Sequence, residues 1–295
     1  MRYTPQRIAE GLVRRIGFLL SDKIYLKALY RAHMGYPLNL RNPQTFNEKL
    51  QWLKLYNRQP YYTQLVDKIE VKKWVADKIG AEHIIPTYEV WNSAEEINVD
   101  KLPKSFVLKC NHSGGNSGVF LVKDKEQFDL ESAKKRLAKE LKHSIYDNYR
   151  EWPYKDVYRR VLAEQLLGVG IEDFKFFCYD GFVESVMVAY ERNTGNTKFY
   201  FFDKDWNLKR YNIRGKEAPE GFTMPKPKNV DQMFAIASEL SKGLPFVRVD
   251  LYNINGKIYF GEMTFFPDSG MDEKILPEVD KYFGSFLKLP QSTER

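Results

Sequence analysis

Apolar residues at Ile8, Leu12, Ile16, Leu19 and Leu20 recur at helical spacing, with Arg7, Arg14 and Arg15 on the remaining arc. This pattern predicts an amphipathic helix whose stripe packs on its own protein, the commoner fate of such a face, rather than on a membrane. After a turn at Asn42-Pro43-Gln44, Thr45 and Glu48 have the spacing of a capping box, and Phe46, Leu50 and Leu53 form the stripe of a short helix. Asp67 and Glu70 repeat the capping signal ahead of a helix with Val71, Trp74, Val75 and Ile79 inward, stopped at Gly80. Two further helices span 129–143 (Leu130, Ala133, Leu137, Leu141) and a stretch with Met233, Ile236, Ala237 and Leu240 that closes at Gly243. Between the helices lie β-branched and aromatic runs at 106–108, 119–122, 161–166, 173–179, 185–190 and 198–211, with a turn at Asp180-Gly181. The mixture is α+β, without internal repeats.

The stretch 245–270, PFVRVDLYNINGKIYFGEMTFFPDSG, reads as two strands joined at Asn255-Gly256. Its turn decides the chemistry. A two-residue loop pairs Asp250 with Gly261 and sends Asp250 and Glu262 to opposite faces. A three-residue loop with Gly256 left-handed sets Glu262 opposite Arg248 and Asp250 opposite Phe260, so both carboxylates share a face with Thr264. Carboxylates that close repel unless a cation lies between them, and hard oxygen ligands suit Mg²⁺. The plain alternative is a solvated hairpin face with an Arg248–Glu262 pair.

Composition narrows the classes. The 295 residues suggest about two domains, and 43% hydrophobic with 15% aromatic content excludes disorder. No run approaches the ~18 apolar residues of a membrane span. Arg14 and Arg15 break the apolar run that a secretory signal needs, and Cys110 and Cys178 lack metal-like spacing. A reducing, cytoplasmic setting is expected. The net charge of +7 comes from 46 basic residues spread among 39 acidic ones, which favours a basic pocket for small anions over nucleic acid.

Candidate anion contacts follow. Lys68 and Lys72 lie at a helix start, where the backbone dipole favours anions, although lysines there are commonly just solvated. A strand delivers Lys109 to a loop containing Gly114, Gly115, Ser117 and Gly118, whose glycines allow close backbone approach to phosphate. Such a hairpin tip is often only a flexible turn. His112 reads as a hydrogen-bonding neighbour rather than a catalyst. Farther on, Asp173 and Lys175 share one strand face.

In order, these pieces are a Lys at a helix start, a Lys before a glycine-rich β-turn, a strand bearing Glu, and a strand with Asp-x-Lys ending in Asp-Gly. Val-Asp-Leu and Gly-Glu-Met-Thr complete the set. Together they resemble the ATP-grasp superfamily, and NPQTFNEKLQWLKLYNRQPYYTQLVDKIEVKKWV is similar to the N-terminal signature of its TupA-like branch, associated with teichuronopeptide and capsular polysaccharide biosynthesis. The resemblance implies two α+β subdomains clasping ATP at 63–295, a lid at about 100–163 and a core at about 164–295, behind a helical N-terminal region at 1–62. It implies that Lys68 and Lys109 contact ATP phosphates under a loop lid at 114–118. Glu164, with the backbone of Gln165 to Leu167, would hold adenine, and Asp173 the ribose. Lys175 and Arg248 would stabilise the transferred phosphoryl group, while Asp250 and Glu262, with Thr264 in place of the usual Asn, would carry Mg²⁺. The helical first residues stand where the family has an αβα domain, leaving the acceptor surface undefined.

The implied activity is a carboxylate–amine ligase acting through an acylphosphate. Its acceptor would be a carboxylate of a cell-surface polysaccharide or precursor, its amine an amino acid or peptide, and it could associate peripherally with membrane-bound glycan machinery. Two alternatives compete. A glycosyltransferase would use Asp203-Lys204-Asp205 for a metal-bound sugar nucleotide, although that stretch also reads as a polar hairpin turn. A non-catalytic nucleotide-binding scaffold would bind ATP without turnover.

Overall fold

The computed structural model describes residues 5–115, 118–192 and 196–291. Its strands form two antiparallel sheets. The smaller has the order β1-β4-β2-β3 and comprises β1 (Thr87–Trp91), β2 (Phe106–Cys110), β3 (Val119–Val122) and β4 (Val161–Glu164). The larger has the order β10-β9-β5-β6-β7-β8. It comprises β5 (Asp173–Tyr179), β6 (Phe182–Tyr190), β7 (Lys198–Phe202), β8 (Leu208–Lys209), β9 (Val247–Ile254) and β10 (Lys257–Thr264).

Helix α6 (Leu130–Glu140) covers the smaller sheet, burying Leu137 among Phe106, Leu108, Val161 and Ala163. The larger sheet is covered by α9 (Val230–Ser241), α10 (Pro277–Phe286) and, from far earlier in the chain, α3 (Phe46–Tyr56). The Thr45/Glu48 capping box that opens α3 is present as the spacing predicts. It aims Phe46 edge-on at Phe246, ring centroids 4.7 Å apart, and at Phe283. Gly284 permits this approach, since a Cβ there would lie 2.2 Å from the Gln44 carbonyl.

The chain opens with α1 (Pro5–Ile16), a 3-10 turn (Gly17–Leu19) and α2 (Asp22–Met34). Tyr25, Leu26, Leu29 and Tyr30 of α2 pack with Leu38, Leu40, Leu55 and Met271. Here the structure corrects one expectation. Helix α1 meets this cluster through Val13 and through Glu10, whose carboxylate bonds His33 at 2.8 Å. Its apolar stripe therefore faces outward, with Ile8 52%, Leu12 61%, Ile16 49% and Leu19 72% exposed, and only Leu20 turns in.

Smaller differences have local causes. Asp67 accepts hydrogen bonds from the Ile69 and Glu70 amides, but the Glu70 carboxylate pairs with Arg160 at 2.6 Å instead of closing a capping box, and α5 (Val71–Ile79) starts after it. The strand expected over 161–166 ends at Glu164, because the Gln165 amide turns to the Pro86 carbonyl. Both cysteines are buried and unpaired. Among the described residues, no helix is long and apolar enough to cross a membrane.

Candidate active site

The register of β9 and β10 matches neither simple loop reading. Lys257 pairs with Ile254, so the turn has two residues, with Asn255 and Gly256 at φ 51° and 86°. That turn alone would split the carboxylates between faces. The ladder slips between Phe260 and Glu262, leaving Gly261 as a bulge, and beyond it Glu262 pairs with Asp250 and Thr264 with Arg248. Both carboxylates thus share a face by a route different from the three-residue loop. Glycine inside a strand was the available signal.

A row of charges crosses three strands, since Lys175 on β5 pairs with Asp250, which pairs with Glu262. The Arg248 guanidinium donates twice to Asp250, at 2.7 Å each. Lys175 lies 2.5 Å from Asp250 and 2.6 Å from Asp173. Lys68, in the turn before α5, reaches Glu262 at 3.2 Å and donates to the Ser113 carbonyl at 2.7 Å. Thr264 donates to Glu262 at 3.3 Å and accepts from Arg248 at 3.1 Å. Burial would raise Glu262, but Lys68, Lys175 and Arg248 outweigh it and hold its pKa at about 2. Among the described residues, none donates to the buried Oδ1 of Asp173.

The facing wall belongs to the smaller sheet. Lys109 on β2 and Lys72 on α5 each take one oxygen of the buried Glu164 carboxylate, Lys72 at 3.0 Å. Burial pushes Glu164 up, yet the two ammoniums prevail and its pKa lies below the ordinary range. Lys72 also donates to the Ile85 carbonyl and the Thr87 hydroxyl. The loop above has Gly115 and Gly118 at φ 61° and 64°, while Ser117 lies outside the described residues. His112 is buried, its Nε2 within 3.0 Å of the His143 carbonyl, and so shapes the loop's base.

Between the walls runs a cleft of about 1000 Å³. It brings together Lys68, Lys109, Gly114, Gly115, Glu164, Gln165, Leu167, Asp173, Lys175, Arg248, Asp250, Glu262 and Thr264; Gly118 is not among its lining residues. Asp203 and Asp205 are not there either. Asp203 accepts from the Asn207 amide and side chain within the turn joining β7 to β8.

Sequence reasoning missed the other end of the cleft, lined by Asn148, Tyr149, Glu151, Tyr154, Phe266 and Ser269. There Glu151 accepts from the Ser269 hydroxyl at 2.7 Å, and the buried Lys54 donates to the carbonyls of Tyr149 and Ser269. Burial raises Glu151 to about 7 and lowers Lys54 to about 8. No sequence spacing links these two residues.

Among the described residues no group of three His, Cys, Asp or Glu side chains could enclose a metal ion. Two carboxylates on adjacent strands with a neighbouring hydroxyl nevertheless fit Mg²⁺ carried on phosphates, because that ion uses one or two protein carboxylates and completes its shell with phosphate and water.

The family model described as TupA-like ATPgrasp matches residues 48–288. A solved D-alanine–D-alanine ligase from Helicobacter pylori superposes with a TM-score of 0.54 at 17% identity, over 83% of this chain and 69% of that one. The Bacillus anthracis D-alanine–D-alanine ligase gives a TM-score of 0.41 at 18% identity, over 83% and 69% of the two chains. The ATP-grasp ligase PsnB, solved with minimal precursor, Mg and ADP, gives 0.41 at 12% identity, over 98% and 76%. No curated protein matches the sequence. The two sheets are those of the ATP-grasp fold, with the helical N-terminal extension in front.

Proposed function

Because the chain belongs to the TupA-like ATP-grasp family, we propose that it is an ATP-dependent carboxylate–amine ligase. The observation that carries this reading is the convergence of Lys68, Lys175 and Arg248 on the Asp250–Glu262 pair, facing Lys109 across one cleft. The triphosphate would lie along these cations, with the backbone at Gly114 and Gly115 available to it. Each oxygen of Glu164 accepts from one lysine, Lys109 or Lys72, and keeps further lone pairs, so this carboxylate orients the lysines and, with the backbone of Gln165 to Leu167, would hold adenine. The Oδ1 of Asp173, unpaired among the described residues, would accept from a ribose hydroxyl. Mg²⁺ bound at Asp250 and Glu262 with the nucleotide supplies charge neutralisation at the terminal phosphates.

A carboxylate oxygen of the first substrate attacks the γ-phosphorus, the bond to the β-phosphate oxygen breaks, and ADP leaves an acylphosphate. The nitrogen lone pair of the amine then attacks the acyl carbon, phosphate departs with the C–O electrons, and the nitrogen loses a proton. Arg248 and Lys175 hold charge on the transferring group, and the cleft fixes the reactants in line. The likeness to a branch associated with teichuronopeptide and capsular polysaccharide supports a glycan carboxylate as first substrate and an amino acid or peptide as amine.

The test is ADP release that requires both a carboxylate and an amine, abolished in Asp250→Asn and in Glu262→Gln. Unaltered turnover in both variants rejects the metal assignment. Binding of a uridine diphosphate sugar without binding of ATP supports the glycosyltransferase instead.

A further inference from the structure

The outward stripe of α1 continues into its 3-10 turn, where Phe18 is 82% exposed. With Ile24 one turn into α2, six large apolar side chains thus face solvent within residues 8–24. Gly17 fixes the tip, because any Cβ there would lie 2.4 Å from the Tyr25 ring. The surrounding sequence is basic. Residues 8–31 hold five basic side chains, Arg14, Arg15, Lys23, Lys27 and Arg31, against two acids, Glu10 and Asp22. Both acids pair within the fold, Glu10 with Arg14 and His33, Asp22 with Arg58 and Arg150. Arg15 and Lys23 are exposed and bracket the tip in sequence.

We propose that the α1–α2 hairpin docks on an anionic lipid surface, with Ile8, Leu12, Ile16, Phe18 and Leu19 immersed at the headgroup boundary and Arg15 and Lys23 against the headgroups. Amphipathic helices with cations beside the apolar face bind in this manner, each cation adding attraction to anionic lipid. A second copy of the chain would bring like charges together at the same contact, which disfavours it as the occupant. The hairpin's inner face also holds one end of the cleft. Arg14 donates to the Tyr149 hydroxyl at 2.9 Å, Tyr25 to the Asn148 carbonyl at 2.8 Å and Arg150 to the Gly17 carbonyl at 2.9 Å. A docked hairpin therefore holds that wall of the cleft near the lipid. The docking does not depend on the ligase reading.

The experiment is flotation of the full chain with vesicles of phosphatidylglycerol and phosphatidylcholine in equal parts, and with phosphatidylcholine alone. Binding to the anionic vesicles, weakened by salt, is the expected result. Phe18→Glu with Leu19→Glu should lower the partition about hundredfold, and Arg15→Gln with Lys23→Gln about tenfold. All four residues are exposed, so circular dichroism and thermal unfolding should stay as in the parent. Three results would overturn the proposal: no flotation with anionic vesicles, equal flotation with phosphatidylcholine alone, or a dimer in sedimentation velocity that Phe18→Glu with Leu19→Glu dissolves.

Discussion

Glu262 stands directly across from Asp250 because Gly261 is left out of the ladder between their strands. The two-residue turn at Asn255-Gly256 would otherwise pair Asp250 with Gly261 and turn Glu262 to the other face. The bulge has little room, since a Cβ on Gly261 would sit 3.0 Å from the Asp250 carbonyl and 3.1 Å from the Tyr252 ring. Gly261→Val should therefore cost about 1–3 kcal/mol of stability from crowding and strain. It should also remove the additional rise in melting temperature that Mg²⁺ gives in the presence of ATP, which a thermal-shift series reads directly.

The two lysines on Glu164 should behave differently. Among the described residues Lys109 hydrogen-bonds only Glu164, whereas Lys72 also ties down the Ile85 carbonyl and the Thr87 hydroxyl. Lys109→Met should weaken ATP binding about tenfold or more, the worth of one charge-assisted phosphate contact, and should also lower the melting temperature, because the buried Glu164 loses the larger of its two counter-charges. Lys72→Met should mainly lower the melting temperature. Titration calorimetry beside thermal unfolding separates the two, and equal loss of affinity in both variants would reject the division of labour.

Much of this arrangement is readable from local signals. Thr45 with Glu48, Asp180 with Gly181 and Asn255 with Gly256 each specify a cap or turn by residues adjacent in sequence, and the structure has all three. The pairing of Asp250 with Glu262 was harder to read, because one bulged residue reverses the facing of everything after it. The fate of α1 was not readable at all. Periodicity shows that an apolar stripe exists, and only tertiary contacts, here Glu10 and Val13 turned toward α2, decide whether the stripe is covered. Lys54 and Glu151 lie on separate elements, so their meeting is purely tertiary.

Glu151 gives the stability a recognisable pH dependence. Its pKa is raised by burial to about 7 in the folded chain, so the folded state binds more protons than the unfolded one above the ordinary carboxylate range. The favourable contribution is fully present below about pH 4.5 and is lost as the pH rises through about 7. Glu151→Gln removes this loss and leaves Lys54, already lowered by burial, without its counter-charge. A plot of melting temperature against pH from 5 to 7 should fall less steeply in the variant than in the parent, or rise. A steeper fall in the variant would contradict the assignment.

The central claim is that Asp250 and Glu262 hold Mg²⁺ for a nucleotide gripped by Lys68, Lys109, Lys175 and Arg248. Calorimetric titration of ATP with and without Mg²⁺ tests it most directly, on the parent chain and on Asp250→Asn with Glu262→Gln. The parent should bind ATP at least about tenfold more tightly with Mg²⁺, as expected when two carboxylates require a cation between them and the phosphates. The double variant should bind metal-free ATP as well as the parent or better, since Arg248 and Lys175 are released from Asp250, and should show no gain from Mg²⁺. An undiminished gain from Mg²⁺ in the double variant would contradict the account.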